Sequence, residues 1–413
     1  MMFCSIIAQN FLPHARVLAE SLAEHHHDCA FDVLVVDAPE EPGEAGELFR
    51  RVSLSMLGLP RAELNRRLTL YETAALASSL RGPLLAACLA RMSDAVLYLD
   101  ADMLVLGPLT DIGPLALRHG VVLTPHSTVP LRFTPGGFGP EQAFLQAGVF
   151  NGGFLAVSLA AADFLRWRDE RVARDCVVAV DRSIVLGQAW LSLVPALFDH
   201  HVLRDRGINL MGHGMGEDDL TWRGDKPWIG ETPVRLFHFG GGFDPHVGGL
   251  SGHVTSQHWW PRASERPGLA RLCAIYGERL LAAGFDRRMA AGEQWLDPSM
   301  RTAYRKALIG AEENKSREPP NPFSDGKAAF AQWLASPAWT GSRVSHYVAA
   351  MHATRADLRA MFPRVPGADE KALLNWVVGN DGGQLPVRHE PSAWTKFWQR
   401  QARSVRKRLR PTP

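Results

Sequence analysis

The chain has 413 residues, enough for a sizeable core and more than one domain, and its 46% apolar and 21% charged residues are the balance of an ordinary globular protein. A formal net charge of +2 provides no overall field for nucleic acid, so no nucleic-acid partner is expected. Five scattered cysteines (Cys4, Cys29, Cys88, Cys176 and Cys273) form neither a CxxC nor a zinc spacing, which suits free thiols in a reducing, cytoplasmic setting. No basic, then apolar leader opens the chain, and no apolar run is expected to be long enough to cross a bilayer.

The pattern predicts a strand over residues 3–8 and a loop over 9–13. Helical spacing follows from His14 to Glu24, with Ala15, Leu18, Ala19 and Leu22 on one face. A second strand, Phe31 to Val36, ends at Asp37 and a Pro/Glu/Gly-rich loop through Gly46. Strand, helix and strand at this spacing make a βαβ unit, hence an α/β fold with a parallel sheet. Ligands of such sheets bind at the carboxyl ends of the strands, which places Ala8 to Asn10 and Asp37 on the binding rim. The cluster His25-His26-His27 reads as a solvated turn. Residues 71–92 are helix formers broken at Gly82-Pro83, and Arg81 beside the break reads either as a phosphate ligand or as a solvated arginine.

Residues 96–107 carry the most chemistry. The run Val96-Leu97-Tyr98-Leu99 reads as a buried strand, and it runs into Asp100-Ala101-Asp102 before a second apolar run. In extended chain the two carboxylates point the same way. Like charges that close raise each other's pKa unless a cation neutralises them. A hard divalent ion, Mg2+ or Mn2+, is the simplest partner, and an acidic turn after a strand is the plain alternative.

Further strands are predicted at 120–124 and after Phe150, with a Pro/Gly-rich lid or binding loop over 125–148. Phe150-Asn151-Gly152-Gly153 reads as a turn at a strand mouth, where the glycines allow close approach and Asn151 offers donors and an acceptor for sugar hydroxyls. A helix is expected over 163–173 and a brief strand at 201–203. In Leu236-Phe237-His238-Phe239-Gly240-Gly241-Gly242, His238 is either a satisfied core residue or a third metal ligand beside a glycine turn. Composition changes near Pro261 to helical pieces cut by Pro/Gly segments. The last residues interleave Trp394, Phe397 and Trp398 with seven Lys/Arg from Lys396 to Arg410, as either a surface for anionic membrane or a disordered basic tail.

Taken in order, Ala8 and Asn10, Tyr98 to Met103, Phe150 to Gly153, Gly187-Gln188 and His238 to Gly241 resemble the metal-dependent retaining glycosyltransferases with the GT-A fold, the group of glycogenin and bacterial lipopolysaccharide galactosyltransferases. The resemblance implies a GT-A domain over 1–260, a helical C-terminal extension over 261–390 and a basic tail over 391–413. It implies that Asp100, Asp102 and His238 hold Mn2+ or Mg2+. Ala8, Asn10 and Asp37 would line the nucleoside pocket, with Arg81, Ala101, Gly240 and Gly241 near the diphosphate. Asn151 and Gln188 would stand at the donor sugar as the catalytic pair. The implied reaction moves a sugar, with retention, from a nucleotide-diphosphate donor such as a UDP-sugar to a glycan or lipid-linked acceptor in surface polysaccharide synthesis. The tail would touch the inner face of the cell membrane. Two departures stand out: Gly187 replaces the family's usual acid before Gln188, and Phe243-Asp244-Pro245 stands where a lysine often follows the His-Phe-x-Gly motif.

Two other functions are compatible with parts of this pattern. A haloacid-dehalogenase-type phosphohydrolase would use Asp100 as a nucleophile, but Leu104 occupies its usual Thr/Val place. A lapsed nucleotide-sugar-binding module would explain Gly187. A sugar-phosphate nucleotidyltransferase would need a glycine-rich basic loop after the first strand, and Gln9 to Pro13 is not one.

Overall fold

The computed structural model describes residues 1–37, 46–92, 94–131, 139–179, 184–240, 243–246, 263–286 and 296–379. The expected basic tail, Gly241 and residues 132–138 of the expected lid lie outside the described residues. The chain forms two compact units, one from residues 1–60 and 71–293, the other from 61–70 and 294 onward.

The first unit is α/β, as the βαβ pattern predicted. Its strands include β1 (Met2–Ile7), β2 (Phe31–Val35), β3 (Arg50–Val52), β4 (Ala95–Leu99), β5 (Met103–Val105), β6 (Val121–Pro125), β7 (Phe150–Ser158), β8 (Val178–Ala179), β9 (Ile184–Val185) and β10 (His201–Val202). The seven-stranded central sheet has the order β10-β6-β7-β4-β1-β2-β3. β1 pairs parallel with β2 and β4, and β2 with β3. β7 runs antiparallel between β4 and β6. Helix α1 (Leu12–His25) begins with Pro13 in its first turn, where the missing N–H costs nothing.

Both faces of the sheet are covered. Ala15, Leu18 and Leu22 of α1 share one core with Phe3, Val33, Leu97, Leu99 and Phe154. Leu84 and Cys88, fully buried on α3 (Thr73–Met92), belong to the opposite side, where Cys88 adjoins Cys4 of β1. α3 runs unbroken through Gly82-Pro83, contrary to the expected break. A proline removes one helical hydrogen bond, and burial of Leu80, Leu84 and Leu85 outweighs that loss. Over Thr73–Arg91 this helix is long and apolar enough to cross a membrane, against the expectation of none, and 67% of that window is buried inside the protein.

Three more expectations change. Residues 140–147 of the expected lid form a helix, Pro140–Ala147, with Pro140 in its first turn. Asn151, Gly152 and Gly153 lie inside β7, because pairing of Phe150 with Pro125 of β6 extends that strand back to Phe150. His26 is half-buried and accepts a hydrogen bond from the Leu109 N–H at 3.0 Å, so the His25–His27 cluster is not all solvated turn.

Beyond β10 come a small antiparallel sheet, β11 (Leu220–Arg223), β12 (Lys226–Ile229) and β13 (Thr232–Pro233), and then β14 (Leu236–His238). The helix Pro267–Ala282 closes a second core, where Leu269, Leu272, Tyr276 and Leu280 are buried with Phe237 and Phe239. The first unit therefore runs past the boundary expected near residue 260.

The second unit is helical in the described residues. Arg301 and Arg305 of the helix Pro298–Glu313 donate to the carbonyls of Leu68, Thr69 and Leu70, the last turn of the helix Arg61–Leu70. Those carbonyls have no partner within their own helix. Val344, Val348, Met351, Leu358 and Leu373 form a further small core.

The site hangs from β4, so the strand's packing is testable. Leu97→Ala, at a fully buried position, is expected to destabilise the first unit by about 2–5 kcal/mol in denaturant melts. A loss below about 1 kcal/mol would contradict the packing described.

Candidate metal and donor site

The parallel strands β1, β2 and β4 end on one rim. There the Asp37 carboxylate accepts from the Gln9 N–H at 2.8 Å, which joins Asp37 to the Ala8–Asn10 turn. Asn10 presents a buried side-chain oxygen without a hydrogen-bond partner.

β4 stops at Leu99, and the chain turns through Asp100-Ala101-Asp102 into β5. β14 pairs antiparallel with β5, with His238 opposite Met103, and this register delivers the imidazole beside Asp102. Asp102 Oδ1 lies 3.2 Å from His238 Nε2. One ligand atom from each of Asp100, Asp102 and His238 falls within 4.8 Å of the others. Ala101 between the two acids is buried and points away from solvent. Burial alone would raise the Asp102 carboxyl, but the charge and hydrogen bond of His238 hold it below the usual carboxylate range. Burial opposes charge on His238 too, and Asp102 outweighs it, so the ring keeps its proton above the ordinary histidine range.

The other ring nitrogen is also fixed. His238 Nδ1 lies 3.1 Å from Asn209 Oδ1. Asn209 in turn donates to Thr124 Oγ1 at 2.8 Å and to Asn151 Oδ1 at 3.2 Å. An Nδ1–H given to Asn209 leaves Nε2 as the atom available to a metal. Asn209 takes a left-handed conformation, φ 54°, which asparagine tolerates better than most residues. Asn151 uses its oxygen on the Gly153 N–H, 2.8 Å away, and its amide on Met211 Sδ.

Asp100 is held just as firmly. Its Oδ1 accepts from the Tyr98 hydroxyl at 2.7 Å and from Arg81 Nη2 at 3.1 Å. Arg81 also donates to the Gly152 carbonyl and lies over the Tyr98 ring, 4.1 Å from its centroid. At 7% exposure Arg81 is not a solvated arginine. Oδ2 of Asp100 is left facing Gly153, where an added Cβ would sit 2.6 Å from it and 2.7 Å from His238 Cε1. The glycine keeps open the space between the three candidate ligands.

Gln188 stands on the neighbouring wall. Its Oε1 accepts from the Gly152 N–H at 3.0 Å, and its amide donates to the Ala147 carbonyl at 3.2 Å. Gly240 follows β14 in a left-handed turn, φ 49°. Asp100, Asp102, His238, Arg81, Asn151 and Gln188 thus meet around Gly152-Gly153, and Ala8, Asn10 and Asp37 meet at the ends of β1 and β2. Sequence reasoning missed Tyr98 and Asn209. Tyr98 carried a signal, since a hydroxyl two residues before Asp100 on one strand faces the same way. Asn209 carried none.

Two carboxylates and one imidazole around an open volume fit a hard divalent ion such as Mn2+ or Mg2+. No family model and no curated protein matches the chain. Among solved structures it is similar to the glycosyltransferase GlyE of Streptococcus pneumoniae TIGR4, at 14% identity and a TM-score of 0.38, over 68% of this chain and 63% of GlyE. It is also similar to the galactosyltransferase LgtC in complex with donor and acceptor sugar analogues, at 18% identity and a TM-score of 0.39, over 70% of this chain and 98% of LgtC. A glycosyltransferase involved in glycosylation of the major capsid of PBCV-1 matches at 14% identity and a TM-score of 0.34, over 59% of this chain and 94% of that one.

Gly153→Ala tests the cradle. The added methyl must displace Asp100 or His238, so Mn2+ affinity, followed by electron paramagnetic resonance, is expected to fall at least about tenfold with the fold retained. Unchanged Mn2+ binding would contradict the site.

Proposed function

We propose that the first unit is a divalent-metal-dependent glycosyltransferase that moves a sugar from a nucleotide-diphosphate donor, a UDP-sugar by resemblance, to a hydroxyl acceptor with retention. The observation that carries this reading is the convergence of Asp100, Asp102 and His238 on the volume that Gly153 leaves open. Asp100 and Asp102 supply carboxylate oxygens, and His238 supplies Nε2. A divalent ion held there would act as a Lewis acid on the departing diphosphate, where negative charge grows as the glycosidic bond breaks.

The remaining residues act through position. Tyr98 and Arg81 hold one oxygen of Asp100 so that the other stays aimed at the cradle. Asn209 fixes the His238 ring. Asn151 ties Gly153 and Asn209 together, so it serves the donor sugar by holding the strand that borders it. Gln188 borders the same strand and orients the sugar's reacting face. Ala8, Asn10 and Asp37 bind the nucleoside, with the unpartnered Asn10 oxygen as a hydrogen-bond acceptor for the base. The Gly240 turn brings backbone near the diphosphate. The residues after Asp297 form the helical extension of this enzyme. The tail over 391–413 meets the inner membrane surface, where a glycan or lipid-linked acceptor is used in the cytoplasm.

A phosphohydrolase reading is disfavoured, because Leu104 occupies the Thr/Val place of that motif. The test is metal-dependent donor hydrolysis, with water in the acceptor's place. Asp102→Ala is expected to lower this rate by more than about a hundredfold, the scale of a lost electrostatic group at a reacting centre. Wild-type turnover in that variant would refute the reading.

A further inference from the structure

Arg168 lies on the helix Ala162–Asp175 and has no exposed surface. Its Nη2 donates to the Ser78 carbonyl at 3.2 Å, while Nε and Nη1 have no hydrogen-bond partner. Among the described residues, no carboxylate is hydrogen-bonded to it. Asp169, the next residue on the helix, acts only through its charge, as do the Cys176 thiol and the Tyr98 hydroxyl. Burial first, then the like charge of Arg81, pushes its pKa down to about 10, so it remains a cation at neutral pH.

Its place in the fold is informative. A Cβ on Gly187 would run into Arg168 Nη2 and lie 2.9 Å from Ser78 Oγ, so the glycine is what lets the guanidinium in. The Gly187 N–H is held by Ser78 Oγ at 3.1 Å, and Leu186 before it sits in the left-handed region, φ 53°. A leucine held there marks a strained backbone at this point of the wall. Next in sequence is Gln188, which is bonded to Gly152, and Arg81 is bonded to Gly152 and Asp100. Arg168 therefore stands directly behind the wall formed by Arg81, Gly187 and Gln188.

A buried charge without a partner destabilises a fold and is ordinarily paired or lost. Here Gly187, against Nη2 of Arg168, carries no side chain, and the guanidinium's one hydrogen bond among the described residues goes to the neutral Ser78 carbonyl. We propose that Arg168 is a positioning residue for the anionic diphosphate: a buried cation, admitted by Gly187, whose counter-charge arrives with the ligand. This rests on the donor-site reading above. Its field acts through low-dielectric protein on the same volume that Arg81 faces, and it requires no contact with the ligand.

The test measures binding by the full chain with two probes, UDP and inorganic pyrophosphate, each with Mn2+, by calorimetry, together with thermal midpoints without ligand. Arg168→Met keeps the packed stem and removes the charge. It is expected to bind both probes about tenfold more weakly, the effect of one unit charge across roughly 10 Å of partly buried protein, with a thermal midpoint equal to or above wild type. Arg168→Lys keeps the charge and is expected to bind within about threefold of wild type. Gly187→Asp places a carboxylate against the guanidinium and is expected to weaken both probes even if Arg168→Met does not fold. Wild-type affinity in Arg168→Met or in Gly187→Asp would overturn the inference. So would equal weakening in the Met and Lys variants with a lowered midpoint, the mark of a packing role alone. If the wild-type protein itself bound neither probe, the donor-site reading would fail first and this inference with it.

Discussion

Asp100, Asp102 and His238 reach one small volume from distant parts of the chain, and this constraint shapes the first unit. β4 ends at Leu99, so Asp100 and Asp102 emerge at the carboxyl edge of the sheet. The antiparallel pairing of β14 with β5 carries His238 more than a hundred residues along the chain to the same edge. The pairing of β7 with β4 sets Gly153 opposite Asp100, where the Asp100 N–H donates to the Gly153 carbonyl at 2.9 Å. Two strand registers converge on one small volume, and a one-residue slip in either would turn a ligand away.

Around that volume the protein distributes charge in layers. Asp102 and His238 form one pair, and Asp100 and Arg81 another. Tyr98 donates to the same Asp100 oxygen that Arg81 holds, and Asn209 holds the second ring nitrogen of His238, so both candidate ligand sets are oriented before any ligand arrives. Among the described residues Arg168 is the exception to this pairing, hydrogen-bonded to the Ser78 carbonyl and to no carboxylate. On the proposed reading, a cation in front of the wall and an anion against it would complete this charge pattern.

Much of this was legible in the sequence because it is local. Short apolar runs announced β1, β2 and β4, the latter two ended by acids, and the spacing of Asp100 and Asp102 put both on one rim. What was not legible depends on distant partners. The helix through Gly82-Pro83 survives because its apolar face is buried, and a proline in isolation gives no hint of that. Asn151-Gly152-Gly153 looks like a turn by composition and is a strand by pairing. Arg81 looks solvated until Tyr98 and Asp100 close around it. Asn209 matters through its left-handed backbone and three partners from elsewhere in the chain. The β11–β13 meander had a readable signal, Gly224-Asp225 between apolar-bearing segments, and its short strands hid it.

The central claim is that the edge of this sheet holds a divalent ion and, through it, a nucleoside diphosphate. The most direct measurement is the thermal midpoint of the protein with Mn2+ against UDP, GDP, ADP, CDP and dTDP, repeated with EDTA. A ligand that binds only the folded state raises the midpoint by mass action. The account predicts a rise with one base, UDP by resemblance, that disappears when the metal is chelated. No rise with any of the five, or a rise that persists in EDTA, would contradict it.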